Sequence, residues 1–127
     1  MNLLFVYGSL KRGFSNHFYL ANAEWVGNAQ TKPGYRMFDY GGYPAAIVDS
    51  GGYSIKGELW RVSDDCLTLI DELEGIDEGL YKRATASLEP PFADQEGVIM
   101  YHYLLETREL PDVGGEWPRA RDIAKQG

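Results

Sequence analysis

The chain has 127 residues, 44% of them hydrophobic and 24% charged, with a net charge of −7. That is enough for one compact domain with its own core and too little for two. The acidic balance argues against nucleic acid as the main partner, since phosphate binding favours a basic face, and no apolar run is long enough to span a membrane. The one cysteine, Cys66, cannot form an internal disulfide or a metal cluster by itself, which fits a reducing cytoplasm.

Met1 to Val6 is apolar, but the run stops at Tyr7-Gly8 and lacks a basic start, so no signal peptide is expected. Leu3 to Val6 reads as a short, fully buried strand. It runs into the loop Tyr7-Gly8-Ser9-Leu10-Lys11-Arg12-Gly13. Ser15 and Asn16 are helix caps for a short helix over His17 to Ala21. Strands are expected at Trp25 to Thr31 and Tyr35 to Asp39. After the Gly41-Gly42 and Pro44 interruption a strand resumes from Ala45 to Val48. Asp49 to Gly52 is a turn signal. Tyr53 to Val62 alternates as a longer strand, Ser63 caps a helix that Gly75 ends, and Tyr81 to Leu88 returns to a strand. Pro90 to Gly97 is a loop, Val98 to Leu105 a last strand, and the tail from about Arg108 an irregular segment. One main and one short helix among many strands give an α+β class, a small, partly closed barrel of mixed strands in a single domain, 1–127.

The helix carries the most informative residue. At 100° per residue, Cys66, Leu67, Leu69, Ile70 and Leu73 share a stripe, and Asp64, Asp65, Thr68 and Glu72 lie opposite or on its flanks. Glu74 stands four residues after Ile70 and seven after Leu67, so it projects on the apolar side. Burial and the partly negative helix end both favour its neutral form, and a carboxyl that exchanges a proton near neutrality is what a general acid/base requires. Periodicity alone equally allows a last-turn glutamate that reaches water. The loop Tyr7 to Leu10 allows two readings too: a cradle of main-chain amides for an anion, or an ordinary strand-to-helix turn. It lacks the Gly-Lys-Ser/Thr ending of a phosphate loop and the three-glycine dinucleotide fingerprint.

Other polar residues point elsewhere. Cys66 reads as a small core residue without a basic neighbour to activate it. His17 and His102 are far apart with no ligand at metal spacing, so no metal site is expected. Ser9 and Ser15 lack a nucleophile-elbow motif. Arg83 reads as the partner of a nearby acid. Gly41 to Pro44 reads as a pocket wall or a plain turn, and Tyr7, Tyr43 and Tyr103 as candidate pocket tyrosines.

Taken together, Leu4-Phe5-Val6-Tyr7-Gly8-Ser9-Leu10-Lys11-Arg12-Gly13 resembles the opening signature of the gamma-glutamylcyclotransferase-like superfamily. Asn16-His17 resembles a pair common in its gamma-glutamylamine branch. Ile70-Asp71-Glu72-Leu73-Glu74-Gly75 resembles the family's Leu-Asp-x-x-Glu-Gly helix end, Tyr81-Lys82-Arg83 its Tyr-x-Arg, and Gly115-Glu116-Trp117 the Gly-acidic-Trp ending of small bacterial members. Ile70 and Ser9 stand where leucine and, in that branch, threonine are usual. The resemblance implies a small mixed barrel that cyclises a gamma-glutamyl amine or amide to 5-oxoproline and releases the amine, without a cofactor. Glu74 would be the catalytic acid/base. Tyr7, Gly8, Ser9 and Leu10 would hold the glutamyl head group, and Tyr103 would contact substrate. The partner is then a small gamma-glutamyl molecule, or one from which a protecting gamma-glutamyl group is removed during biosynthesis. The alternative is a catalytically silent module that binds a small anion or gamma-glutamyl group. Oligomeric state is left open.

Overall fold

The computed structural model describes residues 1–118. In chain order it has β1 (Asn2–Val6), a short 3-10 helix (His17–Leu20), β2 (Glu24–Gln30), β3 (Tyr35–Tyr40), β4 (Tyr43–Val48), β5 (Lys56–Val62), α1 (Asp64–Glu74), β6 (Tyr81–Thr85) and β7 (Ile99–Tyr103). The α+β class holds, with one main and one short helix. The strands form a five-stranded sheet of order β2-β5-β1-β7-β6 and a separate β3-β4 pair. The named strands do not close into one barrel: β3 and β4 form a hairpin of their own, and beyond the ends of β2 and β6 the two edges meet only at the Thr31–Leu88 bridge, where the Lys32 N–H donates to Ser87 O at 2.9 Å and the Glu89 N–H to Gln30 O at 2.8 Å.

β1 is central and buried on both faces, as its unbroken apolar run requires. Leu4 and Val6 join one core cluster with Leu67, Ile70 and Tyr101. Phe5 and Tyr7 join a second with Met37, Leu59 and Met100. β1 pairs antiparallel with β5 and parallel with β7, and β6 runs antiparallel to β7. The ends of β1 and β7 and the start of β6 therefore share one edge of the sheet.

The chain leaves β5 opposite Asn2, at the far edge. Ser63 caps the helix there and accepts the Cys66 N–H at 3.1 Å, with Asp64 and Asp65 in the first turn. Eleven helical residues span about 16 Å, and the five residues of β1 also span about 16 Å. The helix thus runs back along the strand and delivers its last residue, Glu74, to the edge where Tyr7 begins. Gly75 stops it in the left-handed region at φ 68°, where a glycine carries no side-chain penalty.

Strands expected at Tyr53–Val62 and Tyr81–Leu88 are shorter than their apolar alternation, with isolated bridges at Tyr35–Tyr53 and Thr31–Leu88 continuing them. β3 and β4 are longer than expected, because Gly41-Gly42 makes a tight turn that joins them as one hairpin. The tail expected to be irregular from Arg108 has no helix or strand element through Pro118, yet it is pinned. The Asp39 N–H donates to Pro111 and the Val113 N–H to Met37, both at 2.9 Å, and the Lys56 N–H donates to Gly115 at 2.7 Å. The remainder of that tail, 119–127, lies outside the described residues.

Candidate active site

A cavity of about 350 Å³ opens at the shared edge of β1, β7 and β6. Its lining includes Tyr7, Gly8, Ser9 and Leu10 from the loop after β1, Glu74 with Leu73 from the helix end, and Tyr40, Tyr43 and Pro44 from the hairpin tip. The volume suits a small molecule. Tyr7 and Leu10 are buried and form the floor; Tyr40 and Tyr43, 38% and 50% exposed, mark the mouth.

Glu74 is half-buried. Among the described residues, no hydrogen bond or ion pair engages its carboxylate. Burial alone pushes its pKa from 4.5 up to about 7, because the ionised form has lost water and gained no partner. Its charge also reaches the surrounding phenols: burial and then Glu74 raise the pKa of Tyr81, and burial, Tyr81 and Glu74 raise that of Tyr7.

Asp71, one turn earlier on the same helix, has the opposite fate. Asp71 accepts two hydrogen bonds from Arg83, at 2.9 and 2.6 Å, and a third from the Tyr101 hydroxyl at 2.6 Å. Despite some desolvation, these donors hold its carboxyl below the ordinary range. Arg83 is thus the partner of a nearby acid, as its type and place suggested. A paired acid and one without a partner among the described residues thus stand three positions apart on one helix.

In the loop, Asn16 donates its side-chain amide to Ser9 Oγ at 2.8 Å and its backbone N–H to Ser9 O at 2.9 Å. Lys11 N–H donates to Gly8 O at 3.0 Å, and His17 Nδ1 lies 2.9 Å from Leu10 O. The carbonyls are therefore engaged, while the N–H groups of Gly8, Ser9 and Leu10 donate to no acceptor among the described residues. Consecutive unpaired amides beside a cavity are a candidate cradle for an anion. Gly8 is required by a close approach: a Cβ there would lie 2.6 Å from Pro44 Cγ. The cradle and the hairpin meet at that contact.

Of the residues expected in the site, Glu74, Tyr7, Gly8, Ser9 and Leu10 line one cavity. Tyr103 does not line it. Paired with Tyr81 across β6 and β7, it packs behind it, with ring centroids 5.4 Å from Tyr81 and 5.2 Å from Tyr40. The tyrosine of β7 that lines the cavity is Tyr101, two residues earlier and on the same face. Period-two alternation puts both rings on one face without choosing between them. Tyr81, which the Tyr-x-Arg resemblance leaves without a role, lines the cavity and donates its hydroxyl to Pro44 O at 2.8 Å, bracing the hairpin. Tyr7 likewise donates to Tyr101 O at 2.6 Å. Tyr43 and Pro44 do form a wall of the cavity. Cys66 is half-buried, its Sγ 3.4 Å from Tyr19 O, and burial raises its thiol pKa.

The family model for gamma-glutamyl cyclotransferase, AIG2-like proteins matches residues 4–119. A Vibrio cholerae protein provisionally named a gamma-glutamylcyclotransferase is 36% identical over 118 residues, covering 91% of this chain and 95% of that protein. The gamma-glutamylaminecyclotransferase A of Danio rerio is 34% identical over 94 residues, 68% of this chain and 58% of that one. In structure, an AIG2-like protein from Mus musculus superposes with a TM-score of 0.72 at 26% identity, covering 88% of this chain and 85% of that one. With the matched segment running from the first strand through the pinned tail, the chain belongs to the gamma-glutamyl cyclotransferase, AIG2-like family.

Proposed function

We propose that the protein is a gamma-glutamyl cyclotransferase that converts a gamma-glutamylamine or related gamma-glutamyl compound to 5-oxoproline and the free amine. The observation that carries this reading is the unpartnered Glu74 carboxyl, with a pKa pushed up to about 7, in the same cavity as the free N–H groups of Gly8, Ser9 and Leu10. The zebrafish relative's name supports the amine class.

The nucleophile is the substrate's own α-amine, protonated near neutrality with a pKa of roughly 7.7–8.0. Glu74 takes a proton from it. The freed nitrogen attacks the γ-carbonyl carbon and forms the carbon–nitrogen bond of a five-membered ring, an intramolecular attack that needs only a bent substrate. Glu74 then gives that proton to the departing nitrogen as the bond to the γ-carbon breaks; the ring nitrogen, left with one proton too many by the attack, passes it through Glu74 to the released amine, so the lactam is neutral and the amine departs as an ammonium. One carboxyl thus serves as base and acid, and a pKa near the working pH suits both roles. The cradle amides hold negative charge, on the α-carboxylate or on the developing oxyanion. The tyrosines around Glu74 keep its surroundings poor in water, which sustains the raised pKa.

A panel of gamma-glutamyl compounds assayed for 5-oxoproline tests the reading, with Glu74→Gln as the control. Mass spectrometry of the released amine separates a gamma-glutamylamine substrate from a protected biosynthetic intermediate. Ligand binding without 5-oxoproline from any compound would refute the enzyme and leave a silent binding module.

A further inference from the structure

The Gly115-Glu116-Trp117 segment has no part in the chemistry above, yet it ends a strap, Pro111 to Trp117, that touches both walls of the cavity's frame. On one side, residues of the same strap hold the hairpin: Pro111 and Val113 bond to the Asp39 and Met37 backbone, and Asp112 accepts from Arg36 at 3.3 Å and from the Tyr53 hydroxyl at 2.6 Å. The Lys56 N–H and its ion pair with Glu116 at 3.7 Å then tie the strap to the start of β5. On the other side, Lys11 Nζ donates to Trp117 O, and the Trp117 ring packs on Phe14 at 5.4 Å. Lys11 and Phe14 belong to the loop whose earlier residues are the cradle, and Lys11 N–H closes the turn onto Gly8 O. Both partners of Trp117 are half-buried, so the contact is sheltered from water.

We propose that this strap fixes the cradle loop against the hairpin, with Trp117 and Lys11 as positioning residues for the head group of the substrate. The inference rests on the reading of Gly8 to Leu10 as the binding cradle. The free N–H groups are aimed through the carbonyls of the same loop, which Lys11, Asn16 and His17 hold, so their direction depends on where those residues are gripped. Arg12 grips it once, through its N–H to Glu58 at 3.0 Å and its guanidinium 3.6 Å from the Trp25 ring. Lys11 and Phe14, on either side of Arg12, are gripped by the strap.

The test is Trp117→Ala, with Lys11→Met as a second variant should the first unfold, and Trp117→Phe as the conservative control. Backbone 15N relaxation is measured at Gly8, Ser9 and Leu10, and KM and kcat are measured with gamma-glutamylbutylamine. The order parameters of the three cradle amides are expected to fall from the rigid range near 0.85 towards about 0.6, with Leu4 to Val6 unchanged. KM should rise by about five-fold or more, while the pH at which kcat/KM reaches half its plateau stays fixed, because Glu74 is untouched. Trp117→Phe should restore both. A cradle that stays rigid with KM unmoved, or a loss of order spread evenly over β1 and the loop, overturns the proposal. The relaxation measurement needs no turnover. A loosened cradle in a protein that cyclises nothing would therefore sustain the strap and count against the enzymatic reading alone.

Discussion

Replacing Glu74 by glutamine isolates the cost of keeping a carboxylate in the cavity. Its pKa rises on folding from 4.5 to about 7, so the folded state holds the proton more tightly than the unfolded chain. The sign follows from linkage: the favourable contribution is complete below pH 4.5 and is lost as the pH climbs through about 7, above which the folded protein carries a desolvated, unpaired charge. At 1.36 kcal/mol per pH unit, the full swing is on the order of 3 kcal/mol. Solvent in the open mouth screens part of it, leaving about 2–3 kcal/mol. Glutamine keeps the shape and does not titrate, and its own buried amide adds a cost that is the same at every pH. The quantity to measure is therefore the change with pH in the stability difference between the two proteins, by thermal unfolding followed by circular dichroism from pH 4.5 to 8.5. The variant should gain on the wild type by roughly 7–10 °C in Tm across that range for a chain of this size. All other acids titrate in both proteins and cancel. A difference in Tm that is flat with pH would mean that this carboxyl ionises as it would in water, and the acid/base role would go with it.

The same variant should lose turnover by 100-fold or more, read as kcat for 5-oxoproline formation with the fold intact. In the wild type, kcat/KM should rise as the pH climbs through about 7, since Glu74 must be ionised to accept a proton; a profile without that limb would contradict the assignment. Glu72, exposed two residues earlier, supplies the contrast: Glu72→Gln should leave kcat/KM within about two-fold. Gly8→Ala would force a methyl group to 2.6 Å from Pro44 and should cost about 1–3 kcal/mol in denaturant unfolding, with a large loss of substrate affinity. Arg83→Ala removes a half-exposed partner of Asp71 and should cost about 1 kcal/mol in the same assay, without moving the pH limb set by Glu74.

What the sequence made legible was what local periodicity controls. The Glu74 position follows from a 3.6-residue repeat counted from Leu67 and Ile70, and the helix bounds follow from Ser63 and Gly75, whose capping chemistry is local. The strand β1 was legible because four apolar residues in a row suit a strand buried on both faces. Long-range pairing was not legible. Nothing in Tyr101 or Tyr103 distinguishes which ring meets the cavity until β7 is paired with β6 and the hairpin laid across them. The two-sheet arrangement was hidden for the same reason: β3 and β4 are folded onto each other by the Gly41-Gly42 turn, and their composition does not say which strands they leave unpaired. Between Arg108 and Pro118 the chain has no helix or strand element, and irregular segments make their contacts one hydrogen bond at a time, so no repeat announces that Pro111, Val113 and Gly115 will each find a backbone donor or acceptor.

The match in length between α1 and β1 has a consequence for how such a protein can change. The helix acts as a ruler laid along the strand, and the acid sits at its last graduation. Inserting one residue between Ser63 and Gly75 would swing Glu74 by about 100° and carry it about 1.5 Å further along the axis, out of the niche, while an insertion at the hairpin tip would reshape only the entrance. Diversification of the acceptor side is therefore free to proceed through the hairpin, and the span from cap to stop is held to a fixed count of residues.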